Sequence, residues 1–105
     1  MYKLCFYVPE SHLELTKQAV FAAGGGSIGN YESCCWQCLG QGQFHPLASS
    51  QPFIGETGSL EQLPEWKVEL VVDDTLIRGV VAALLKAHPY ETPAYDMWRL
   101  SDLPN

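Results

Sequence analysis

WKVELVVDDTLIRGVVAALLKAHPY, residues 66–90, changes its period halfway along. From Trp66 to Val72 the polar Lys67 and Glu69 alternate with apolar neighbours, the two-residue repeat of a strand with one buried face. Beyond that, Leu76, Ile77, Val80, Val81, Leu84 and Leu85 recur at three- and four-residue intervals, which draws one apolar stripe down a helix. Asp73, Asp74 and Thr75 lie between the two patterns. Their short oxygen-bearing side chains make them N-cap candidates, since such groups accept from the free amides of a first helical turn. Pro89 ends the helix because its ring pushes the preceding residue out of the helical region, so His88 stands at the exit.

Working outward, Pro93 to Leu100 reads as the last strand, with Ala94, Met97, Trp98 and Leu100 as packing candidates. At the other end, Tyr2 to Val8 (YKLCFYV) is apolar and aromatic on both alternating faces, as a central strand should be. Ser11-His12-Leu13-Glu14 has the spacing of a capping box. The helix it opens runs from about Ser11 to Ala23, with Leu15, Ala19, Ala22 and Ala23 near one face and Gly24-Gly25-Gly26 ending it. A strand is expected over Ser33 to Leu39, with a kinked or bulged continuation to Phe44 past Gly40 and Gly42. Ala48 to Gly58 is a loop, and a short strand returns at Ser59 to Leu63 before Pro64. The order is βαββαβ: an α+β, ferredoxin-like sandwich with two helices on one face of an antiparallel sheet and an extra β-hairpin in the middle loop. Two helices cover only one sheet face. The other must meet solvent or a second subunit, and Cys5, Tyr7 and several aromatic residues are candidates for it.

The chain has 105 residues, the length of a single domain spanning 1–105. Its hydrophobic fraction of 47% and charged fraction of 17% are those of a folding chain. Twelve carboxylates against six basic residues give a net charge of −6. Lys3, Lys17, Lys67, Arg78, Lys86 and Arg99 are scattered, so no basic patch forms to neutralise phosphates, and neither nucleic acid nor an acidic membrane is an expected partner. No apolar run approaches the length of a membrane span and the N-terminus lacks the organisation of a signal peptide, so the expected location is cytoplasmic. Cys5, Cys34, Cys35 and Cys38 are accordingly expected as free thiols. On a regular strand Cys34 and Cys38 would lie about 13 Å apart, too far for one zinc ion to bridge.

HPYETPAYD, residues 88–96, concentrates the remaining chemistry. His88 follows a helix whose C-terminal dipole favours a cation, and Glu91 lies three residues on. The pair can hold a divalent metal ion together, or can pin a turn whose path the two prolines set. Tyr90 adds a phenol beside them, so His88, Tyr90 and Glu91 are the candidate ligand-binding residues, with His88 and Glu91 the candidate metal ligands. No serine-histidine-aspartate order or phosphate-binding glycine loop is present. Gly24-Gly25-Gly26-Ser27 follows a helix instead of opening one.

Lys86-Ala87-His88-Pro89-Tyr90-Glu91-Thr92-Pro93 resembles the closing motif of CutA-type proteins. With Ala94-Tyr95-Asp96 it resembles still more the small domain inserted in the YqfO family, the NGG-interacting-factor-like proteins. Ile28-Gly29-Asn30-Tyr31 leading to Cys34-Cys35-Trp36, and Gly40-x-Gly42-x-Phe44, are similar to that domain too. The resemblance implies a CutA-like fold related to the PII proteins, which associate through sheet edges and protruding hairpins. A homo-oligomer is therefore expected, a trimer first and a dimer second. Longer YqfO relatives carry a dinuclear metal site in segments flanking this domain and are labelled homologues of a GTP cyclohydrolase. Those segments have no counterpart in the 105 residues, so the expectation is a non-enzymatic module with a small ligand or divalent metal at a subunit cleft. The alternatives are a small metal-dependent hydrolase acting on a nucleotide and an accessory partner-binding domain.

Overall fold

A computed structural model describes residues 1–102. Its elements are β1 (Tyr2–Val8), a 3-10 turn (Glu10–His12), α1 (Leu13–Ala22), β2 (Trp36–Phe44), β3 (Glu61–Val72), α2 (Ile77–Ala87) and β4 (Tyr95–Arg99). The four strands form one antiparallel sheet in the order β2-β3-β1-β4, the ferredoxin-like arrangement that the period changes imply. β1 is central: Leu4 pairs with Leu70 of β3 on one side and with Met97 of β4 on the other.

The register explains the core. Leu4 opposite Leu70 and Phe6 opposite Val68 put matched apolar side chains on one face. Val20 of α1 and Val80 and Leu84 of α2 close over them, all fully buried. Each such side chain contributes roughly 1.5–3 kcal/mol by leaving water.

α1 departs from expectation in two ways. The 3-10 turn delays its start to Leu13, and the buried stripe is Leu13, Thr16 and Val20, while Leu15 is 60% exposed. Thr16 belongs to the core face although its hydroxyl finds no partner there. The capping box does not form: Ser11 Oγ lies 2.8 Å from His12 Nδ1, and no side chain caps the helix. α2 is likewise uncapped, because Asp73 Oδ1 accepts from the Thr75 amide and hydroxyl in a local turn. The glycines do end α1, with Gly24 at φ 108° and Gly26 at φ 79°, conformations that favour glycine.

β2 starts at Trp36, three residues later than expected, since Ser33 sits at φ 58° and cannot be part of a strand. Cys34 and Cys35 therefore precede the strand that holds Cys38. β3 runs without a break through Pro64, which pairs with Gln41. The hairpin expected in the middle loop is thus the outer part of the β2–β3 pair itself. It extends past the end of β1, whose last β3 partner is Trp66. β4 is shorter than expected, Tyr95–Arg99, and Tyr95 is its residue against the core.

The register places Cys5, Tyr7, Lys67, Glu69 and Trp98 on the face away from the core, together with Trp36, which is 59% exposed. Among the described residues no helix is long and apolar enough to cross a membrane.

Candidate functional site

The ladder between β1 and β4 ends at the Phe6–Tyr95 pair, followed by one further bond from the Tyr7 amide to the Ala94 carbonyl. The Tyr7 carbonyl then needs another donor. His88 supplies it: its Nε2–H donates to that carbonyl at 2.6 Å, while Nδ1 accepts from the Tyr90 amide at 3.1 Å. This network defines the neutral ring with its proton on Nε2. His88 is 5% exposed, and burial pushes its pKa below the usual histidine value, outweighing the raising effects of the Tyr7 carbonyl and Glu65. The helix-exit position is as expected, but the ring is kept uncharged there.

Tyr90 is the hinge of the site. Its ring meets His88 edge-on at 4.9 Å between centroids, with Phe44 at 6.0 Å and Phe53 at 6.4 Å. Its hydroxyl donates to Glu65 Oε2 at 2.8 Å. Burial, followed by that hydrogen bond and the charge of Glu65, raises the pKa of Tyr90 far above an ordinary phenol's. Glu65 occupies the first position of β3 beyond β1, where the Tyr90 hydroxyl reaches it. Gly42 makes room for it, since a methyl group at Gly42 would overlap the Glu65 carboxylate.

The loop after β2 folds back over this region. The Gln51 amide donates to Glu91 Oε2 at 2.9 Å, and Phe53 packs between Tyr90 and His12. Enclosed between the loop, the β2–β3 arm and residues 90–94 is a cleft of about 560 Å³, within the usual size range of small-molecule sites. Of the three candidate ligand-binding residues, Tyr90 and Glu91 line it. His88 does not; it lies behind Tyr90. Phe53 and Glu65 were not singled out from the sequence, Phe44 entered only through its resemblance motif, and Gly42 within a strand was the local signal of a close approach there.

The pair expected to hold a metal is engaged otherwise. A metal at His88 would have to displace the Tyr7 carbonyl or the Tyr90 amide, and Glu91 retains one oxygen. Among the described residues no three histidine, cysteine, aspartate or glutamate side chains come together. As arranged, these residues do not make up the three or more donors of a resident divalent ion. The four cysteines are free thiols, with Cys5 buried and its pKa raised mainly by that burial.

A βαββαβ sandwich with a projecting hairpin and a cleft at its base defines a CutA- and PII-like α+β module. The comparisons agree. The chain is 43% identical over 102 residues to a GTP cyclohydrolase 1 type 2 homolog of Halalkalibacterium halodurans, covering 97% of this chain and 27% of the relative. It is 40% identical to the protein of the same name from Bacillus subtilis, with the same coverage. The chain thus spans about a quarter of the length of these curated relatives. A crystal structure of a Bacillus cereus protein related to NIF3 superposes with a TM-score of 0.80 at 37% identity, over 96% of this chain and 26% of that one. The PII-like protein CutA from Nostoc sp. PCC 7120 superposes with a TM-score of 0.67 at 14% identity, over 95% of this chain and 81% of that one, a likeness of fold. No protein-family model matches the chain.

Proposed function

We propose that the chain is a non-enzymatic, self-associating CutA-like module of the YqfO type, assembling through the outer edge of β2, as a trimer first and a dimer second, and binding a small ligand in the Tyr90–Glu91 cleft. The observation that carries this reading is the composition of that edge. β2 is the terminal strand of the sheet, nine residues long, and WQCLGQGQF contains no charge and no proline. Edge strands that stay single are ordinarily protected by charges, prolines or shortness. The opposite edge, β4, is short and carries Asp96 and Arg99. Trp36 and Leu39, 59% and 58% exposed, add apolar surface to the unprotected edge.

The name of the longer relatives suggests nucleotide hydrolysis, yet among the described residues the one cleft hydroxyl bonded to a base is the Tyr90 phenol on Glu65, and burial raises the pKa of that phenol. Ser50 donates to the Leu47 carbonyl, and His88 is occupied behind the cleft. Light scattering at micromolar concentration tests the proposal. The expected result is an oligomer that Leu39→Lys converts to monomer with its circular dichroism retained. A monomeric parent chain would overturn the association.

A further inference from the structure

We infer that the cleft takes a small organic cation: a protonated amine or amidine on an aromatic or aliphatic body. This rests on reading the cleft as a binding site and assigns the class of its ligand. Two carboxylates, Glu65 and Glu91, border the cavity; His45 is the one basic side chain in its wall, and no lysine or arginine is there. Each carboxylate spends Oε2 inside the protein, on the Tyr90 hydroxyl and the Gln51 amide respectively. Among the described residues neither Oε1 has a hydrogen-bond partner; Glu65 Oε1 packs against Gly42, and the Oε1 of exposed Glu91 is the more open acceptor for a ligand's N–H groups. The rest of the wall suits the body of such a molecule. Phe44, Phe53 and Tyr90 present rings, and an ammonium or amidinium group near a ring face gains cation–π attraction in addition.

The same features disfavour the ligand that the relatives' name suggests. A nucleoside triphosphate brings several negative charges to a cavity lined by two carboxylates against the single imidazole of His45, on a chain of net charge −6. Charge complementarity therefore selects against phosphate and for an amine. The cavity of about 560 Å³ further selects a compact molecule over a peptide segment.

Phenethylamine, its uncharged counterpart 2-phenylethanol, and GTP are the probes, titrated separately into the intact protein while the backbone amides of Gln51, Tyr90 and Glu91 are followed by NMR. The inference expects saturable shifts with phenethylamine, affinity for 2-phenylethanol weaker by about tenfold or more, and no saturable shifts with GTP. Glu91→Gln, at an exposed position that leaves the core untouched, should weaken phenethylamine and leave 2-phenylethanol unchanged. Equal affinity for amine and alcohol, an unaffected Glu91→Gln variant, or preferential binding of GTP would overturn the ligand class while leaving a binding cleft. Silence with all three probes would overturn the cleft reading itself.

Discussion

His88 closes the last open carbonyl of β1 and orders the Tyr90 amide with one neutral ring, so its protonation and the fold are coupled. Its folded-state pKa is depressed, so the unfolded chain takes up a proton at a higher pH than the native one. The stabilising contribution is present above the ordinary histidine value of about 6.5 and is lost as the pH falls from there through the folded value. Thermal melts between pH 7.5 and 5 should show this loss, and His88→Gln, which can still reach the Tyr7 carbonyl but does not titrate, should flatten it. Thr16 makes the opposite case. Among the described residues its buried hydroxyl has no partner, so Thr16→Val should raise stability by about 1 kcal/mol in urea denaturation. A threonine on a helix reads as polar surface, whereas Thr16 lies on the Leu13–Val20 stripe that faces the core.

The β2–β3 arm shows which elements the sequence makes legible and which it does not. β3 and α2 follow from local periodicity because their side chains return to the core at fixed intervals, and β1 follows from a run that is apolar on both faces. Residues 45–60 have no such period. Their course is set by long-range partners, the Gln51–Glu91 bond and the packing of Phe53, which no local pattern encodes. Tyr90 and Glu91 were legible as candidates through their motif, whereas the place of Glu65 beside the cleft depends on where β1 stops. Gly42→Ala tests that dependence. The added methyl must displace the Glu65 carboxylate and free the Tyr90 hydroxyl, at a cost of about 1–2 kcal/mol. In a Tyr90→Phe background, where that bond is already gone, the same substitution should cost less, and a double-mutant cycle by urea denaturation measures the difference.

At the scale of the molecule, the projecting arm makes the chain long and surface-rich. Its extents are 53 × 26 × 23 Å and its radius of gyration is 15.0 Å, where a compact domain of this length has about 13 Å. It exposes 6889 Å² of surface, about 1,000 Å² more than the roughly 5,900 Å² expected of a compact monomer of 11.7 kDa. Association would return that excess to the interior, so the melting temperature should rise with protein concentration, measurable by calorimetry across a hundredfold range. Lack of any concentration dependence would count against self-association. The central position of β1 has a further consequence, for the order of events in folding. Tyr2 pairs with Val72 on one side and Arg99 on the other, so β1 is synthesised before either of its partners, which lie in the second half of the fold. Until they emerge from the ribosome, YKLCFYV is an unpaired apolar strand, exposed when misassembly is easiest. Refolding should accordingly take milliseconds to seconds, the pace of non-local sheets, with the sheet centre closing late.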